Sequence, residues 1–291
     1  VTLVIPKASV TNLWADNWPA NPSTTGGTTV TPGTSGAEGS FAECLSDTVI
    51  TDDVKFLKIW VLFTTAPVAP KNAFLDIHVD LAGGTTYATP LISNIVCGSA
   101  SSVTTANQPR QWAFPINIPS GAAIACRIRG VSGTPGSARV YMRAYMRHSM
   151  PEWHPVGQYA ETIGVTEDAN VDATAFTPGN AADGTWVSLG STARDLWWWQ
   201  VGYQIDNATI TAEYTYIELG YGDGTAGGTT TILKQLHGGT TGETVGWVLQ
   251  EQDVSYACYY PIPAGTTMYV RGRCNNAPDS GYQAAAHAVG G

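Results

Sequence analysis

The stretch RVYMRAYMR (139–147) alternates without a break, with Val140, Met142, Ala144 and Met146 on one side and Arg139, Tyr141, Arg143, Tyr145 and Arg147 on the other. A strict period of two marks a half-buried β-strand, because successive side chains of an extended chain point to opposite faces. Apolar segments of strand length recur along the chain. Phe56 to Phe63 and Leu196 to Ile205 are each bounded by turn residues, and Leu75, Ile77 and Val79 alternate with polar neighbours, as do Ile217, Leu219 and Tyr221. No stretch carries a convincing 3.6-residue period. Composition agrees: of 291 residues 13% are charged, against about 25% in an average soluble domain, while Gly numbers 32 and Pro 17. Lys and Glu, which coat exposed helices, are scarce, and short strands with frequent turn signals predict an all-β protein.

Comparing the chain with itself predicts its organisation. AGGTT at 82–86 recurs at 226–230, and IPSG at 118–121 recurs as IPAG at 262–265, both 144 residues later. At the same offset Arg127 and Arg129 match Arg271 and Arg273, and with a small gap VTPGTSGAEGSF (30–41) matches FTPGNAADGTW (176–186). These matches predict two tandem β-sandwich domains, jelly-roll-like and related by internal duplication. The first spans 1–148 with an extended N-terminal arm (1–40), the second 149–291. Jelly-roll and immunoglobulin-like strand orders stay open, since strand pairing leaves no mark in one sequence.

Several function classes are disfavoured. A net charge of -9 without basic runs argues against nucleic-acid binding, and no apolar run is long enough for a membrane span. Val1 begins without a basic segment or the apolar core of a secretory leader. The five cysteines form no CxxC pair and are odd in number, which favours buried reduced thiols. A Cys258–Cys274 bridge across a hairpin stays open. No hydrolase elbow, zinc-protease motif or phosphate loop occurs. His148, Glu152 and His154 fit no zinc spacing and read as linker. Asp76, His78 and Asp80 share a strand face and read as a solvent face. GYGDGTAGG (220–228) reads as a tight hairpin rather than a ligand loop. The expectation is a chain without enzymatic activity, cofactor or metal.

Two groups are candidates for contact. Arg127, Arg129, Arg271 and Arg273 lie at matching strand positions, where a stripe pairing with a neighbouring subunit, contact with an anionic glycan and an ion pair within the domain all stay open. Trp197, Trp198 and Trp199 run consecutively in a strand, so at least one must leave the core, and an interface is favoured over a sugar platform.

FPINIPSGAAIACRIRG (114–130) and YPIPAGTTMYVRGRC (260–274), each after a Gly-rich turn, resemble a module of tailed-bacteriophage virion structural proteins. The resemblance covers most of both copies through short, turn-centred motifs; Cys126 and Val270 stand where the module often has alanine. It implies a non-enzymatic virion component: capsid subunit, decoration, head fibre or outer tail protein. The implied partners are copies of the chain, a trimer among the options, and other virion proteins. The opening VTLVIP, with Val1, Leu3 and Ile5 on one face, reads as a strand that pairs with another subunit or with the second domain. The rival expectation is a carbohydrate- or receptor-binding adhesin that contacts a host surface glycan.

Overall fold

A computed structural model describes residues 14–18, 26–33, 36–65, 72–98, 110–131, 136–146, 155–165, 172–205, 215–237, 258–275 and 282–291. Val1, Leu3 and Ile5 and the His148, Glu152, His154 cluster lie outside these residues. The described part is all-β.

The first half contains β1 (Trp14–Asp16), β2 (Thr28–Val30), β3 (Ala42–Leu45), β4 (Val54–Phe63), β5 (Ala73–Asp80), β6 (Thr89–Val96), β7 (Arg110–Phe114), β8 (Ala123–Gly130) and β9 (Ala138–Met146). One sheet has the order β1-β9-β4-β7, with β2 also on β9, and the other β3-β8-β5-β6. The second half contains β10 (Tyr159–Ile163), β11 (Thr174–Ala175), β12 (Gly179–Asn180), β13 (Val187–Ser191), β14 (Leu196–Ile205), β15 (Thr215–Gly222), β16 (Thr229–His237), β17 (Cys258–Ile262), β18 (Thr267–Cys274) and β19 (Tyr282–Gly290). Its sheets run β10-β19-β14-β17 and β13-β18-β15-β16, with β11 on β19 and β12 on β18. Every pairing between these named strands is antiparallel except the short β12–β18 contact. Both halves therefore have one strand order, in which the last long strand inserts beside the first long one. That is the jelly-roll order, and it decides between the two sandwiches the sequence left open.

Alternation builds each core. On β4, Leu57, Ile59, Val61 and Phe63 point inward and are fully buried, and Val140, Met142 and Ala144 of β9 meet them. In the second half Trp199, Val201, Tyr203, Ile217, Leu219, Val270 and Ala286 do the same. β19 departs from alternation: all nine of its residues are buried. Tyr282, Ala284, Ala286 and Ala288 enter the core of their own half, while Ala285 and Val289 pack into clusters that include residues of the first half.

The turns follow local chemistry. In GYGDGTAGG, Asp223 accepts from the Thr225 amide at 2.8 Å and the Thr225 hydroxyl at 2.7 Å, and Gly224 takes φ +82°. The segment is the β15–β16 hairpin. Asp80 likewise accepts from the amides of Ala82 and Thr86, both at 3.0 Å, and these bonds hold its carboxyl below the ordinary range.

Candidate functional site

The arginines assemble first. Arg127 on β8 lies opposite Asp76 on β5, reaching Asp76 Oδ2 at 3.2 Å and Glu38 Oε2 at 3.4 Å. Arg129, with 2% of its side chain exposed, reaches Glu38 Oε1 at 3.4 Å and donates to Asn94 Oδ1 at 2.9 Å. Asp76 is buried as well, and its other oxygen accepts from the Asn94 amide at 2.8 Å. The expected solvent face is corrected at this residue, and the reason is register. β4 and β14 begin at residues 54 and 196, and β5 and β15 at 73 and 215, so these strands correspond at a shift of 142. The counterpart of Asp76 is thus Glu218, where a uniform 144-residue offset pointed to Gly220.

Glu218 lies opposite Arg271, whose guanidinium binds it at 2.6 and 2.7 Å and Asp183 at 2.9 Å. Lys234 also pairs with Glu218. An aromatic ring underlies each arginine: Phe41 is 4.8 Å from Arg127, and Trp186 is 4.4 Å from Arg271. Burial raises the Glu38 carboxyl, and the like charge of Asp76 adds to it against the two arginines. Burial also works on Glu218, but there the hydrogen bonds from Lys234 and Arg271 prevail and hold it below the ordinary range. Three of the four arginines thus meet carboxylates of their own half. Arg273 is exposed, has no ion pair among the described residues, and borders a cavity of about 390 Å³ with Tyr216 and Lys234.

The tryptophan run is resolved by a bulge between Leu196 and Trp198, which re-aims the strand. Trp199 enters the second core and donates to the Tyr260 carbonyl at 2.8 Å. Trp198 leaves its own half and enters the core of the first, edge-on to Phe56 at 6.2 Å, and donates to the Ala113 carbonyl at 3.0 Å. Trp197 is half-buried against the same cluster, and its indole N–H has no hydrogen-bond partner among the described residues. Trp198 therefore serves a seam between the halves and offers no free ring to a sugar.

That seam is polar at its centre. Gln200 donates to the Ala113 carbonyl and accepts from the Ala113 amide at 3.1 Å, and Gln204 accepts from the Ala73 amide at 3.3 Å. His287 is fully buried. Its Nε2 accepts from the Val96 amide at 3.4 Å, and its Nδ1 lies 3.0 Å from the Thr162 hydroxyl. That hydroxyl donates to the Ser93 carbonyl at 2.7 Å, so Nδ1 carries the proton and the imidazole is neutral. Burial depresses its pKa to about 3. Gly202 permits the approach: a Cβ there would stand 2.6 Å from His287 Nε2 and 3.0 Å from Val96 Cβ.

Two surfaces stay open beside the seam. A cleft of about 520 Å³ is lined from both halves, by Leu81, Pro90 and Asn117 and by Tyr159, Glu161 and Arg194. Burial raises the Glu161 carboxyl, although it accepts from the Ala193 amide at 2.9 Å. Arg194 lies 4.4 Å from the Tyr159 ring. The second surface is the outer face of β1-β9-β4, which carries Arg139, Tyr141, Arg143 and Tyr145, the polar side of the β9 alternation. Trp14 and Trp18 are 48% and 44% exposed there. Trp18 stands edge-on to Trp60 at 5.3 Å and to Tyr141 at 6.1 Å. Arg143 lies over Trp18 at 4.8 Å and Trp14 at 5.6 Å, and is fixed by Asp16 at 2.8 Å. Sequence reading missed Trp14 and Trp18 as a site; their signal was WADNW (14–18), two indoles in a polar setting. Among the described residues no group of three or more His, Cys, Asp or Glu could hold a metal ion.

No protein-family model and no curated protein matches the sequence. Among solved structures the chain is similar to PNGF-II, at 9% identity over 96% of this chain and 64% of that one, with a TM-score of 0.37. It thus spans less than two thirds of that protein's length. It is also similar to PNGase F, a glycosylasparaginase from Flavobacterium meningosepticum, at 11% identity over 94% and 99% of the two chains, TM-score 0.29. A third is infectious bursal disease virus, Gx strain, at 10% identity over 96% and 71%, TM-score 0.26. Likenesses of this size assign neither a substrate nor an assembly. They do correct one expectation: with a glycosylasparaginase among the similar structures, a lack of sequence motifs does not exclude an enzyme.

Proposed function

We propose that this chain is a viral structural protein, placed on the virion as a shell subunit, decoration, head fibre or outer tail component, and held by contacts with copies of itself and with other virion proteins. The observation that carries this reading is the pair of equivalent connections β7–β8 and β17–β18. Their sequences are the two motifs that resemble the virion module, and each joins the two sheets of its own half at corresponding strands. Duplication of one unit is part of the proposal. The shared strand order supports it, as do the matching sets Arg127, Asp76, Glu38 and Arg271, Glu218, Asp183. A surface with few charges suits a chain covered by neighbours.

Mass spectrometry of purified particles, followed by imaging that locates the chain, tests the reading. Absence of the chain from particles would overturn it. A second reading, a glycan- or receptor-binding adhesin, draws on the exposed Trp14 and Trp18. Specific glycan binding by a monomer, lost in Trp18→Ala, would favour it.

A further inference from the structure

The outer face of β1-β9-β4 corresponds, position by position, to a face that the second half has already buried. Lys58 pairs with Arg143 across β4 and β9 where Gln200 pairs with His287 across β14 and β19, and Trp60 pairs with Tyr141 where Gly202 pairs with Ala285. Even the register shift repeats, before Phe56 in one half and before Trp198 in the other. In the second half these positions are small or neutral, and they close onto the first half. In the first half they are aromatic and cationic. The two surfaces also adjoin, since Ala113, which receives Trp198 and Gln200, pairs with Lys58.

We propose that this face docks a second copy of the chain, head to tail, through the second half of the neighbour. Charge favours that occupant. Residues 1–148 hold ten Lys and Arg against eight Asp and Glu, whereas residues 149–291 hold four against fifteen. With Lys58, Arg139 and Arg143 against Asp16 the surface stays net positive, and it therefore meets opposite charge in the second half of another copy and not in its first. Chemistry favours a protein over a sugar. Arg143 spans two indoles and Lys58 stands 5.8 Å from the Trp60 ring, so ring faces that a sugar would stack on already carry cations. Trp, Tyr and Arg are the residues that dominate protein–protein contacts. The geometry is heterologous, with different surfaces meeting, and it builds rings or filaments rather than closed pairs.

This inference rests on the self-assembly part of the proposed function and is tested on the purified full chain. Sedimentation equilibrium of the wild type should show concentration-dependent association that weakens as salt rises. Trp18→Ala, at a residue 44% exposed, and Lys58→Glu should each lower the association constant on the order of tenfold or more, with circular dichroism unchanged. Trp18→Ala retains its acidic second half, so mixing it with wild type should cap and shorten wild-type oligomers. The proposal is overturned by a wild type that stays monomeric, by association unaffected in both variants, by exclusion of Trp18→Ala from mixed oligomers, or by a glycan that binds the monomer through Trp18. Failure here with the chain still present in particles would leave the virion reading standing; association by a chain absent from particles would remove only that reading.

Discussion

Acid should loosen the seam through His287. The unfolded imidazole titrates near 6.5 and the folded one at about 3, because burial disfavours the cation. Between these values the unfolded state takes up a proton that the folded state refuses, so stability is full above pH 6.5 and falls as pH drops toward 3. At about 1.4 kcal/mol per pKa unit the ceiling is about 5 kcal/mol, and the loss at pH 5 is about 2 kcal/mol. The geometry explains the refusal. A proton on Nε2 would confront the Val96 amide donor, and Nδ1 already gives its proton to Thr162. The comparison is urea unfolding of wild type and His287→Gln at pH 7.5 and pH 5, followed by tryptophan fluorescence. The wild type should lose about 2 kcal/mol more than the variant over this interval. The raised carboxyls of Glu38 and Glu161 act in the opposite direction near their own range, but both proteins share them and the difference cancels them. Equal losses would refute the reasoning, whatever the stability of the variant at pH 7.5.

Trp198→Ala should cost about 3 to 5 kcal/mol, since it empties a site in the first core and removes the bond to Ala113; calorimetry should then resolve separate transitions for the two halves. Glu218→Ala leaves Arg271 with Asp183 alone and should cost about 1 to 3 kcal/mol, whereas Glu218→Leu combined with Arg271→Met should recover much of that, and an additive double variant in chemical denaturation would count against a coupled pair. Cys44, Cys97, Cys126 and Cys274 are buried thiols outside any disulfide, and burial pushes the Cys126 thiol up. Alkylation of the native protein, mapped by peptide mass, should leave these four unlabelled until denaturant is added.

Much of the fold was legible because one face of many strands meets water. The 139–147 alternation placed β9, and the repeated AGGTT and IPxG turns bounded strands in both halves. Strand order was not legible, since it depends on pairings such as Val54 with Met146 that are remote in sequence. The closing strand of the second half was obscure for a physical reason: YQAAAHAVG is buried on both faces, so nothing forces it to alternate. The arginine positions were readable, but their partners were hidden by the two-residue difference between the 142 and 144 shifts, which moved the counterpart of Asp76 from Glu218 to Gly220. The run Trp197, Trp198, Trp199 was readable as one that cannot share a single core, but not which ring leaves it. That Trp198 enters the other half's core could not be read from spacing, because the Ala113 carbonyl is 85 residues away.

The central position of β19 also bears on biosynthesis. It emerges from the ribosome after every other strand of its half, yet it lies between β10 and β14 and supplies His287 and Val289 to the seam. The first half has all its strands once Met146 has emerged. The second must hold β10 and β14 without their shared neighbour until β19 has emerged, with Trp198 already seeking the first half's core. Long-range pairing of this kind folds slowly. A ribosome stalled before β19 would therefore display a finished first jelly roll followed by an open, aggregation-prone sheet.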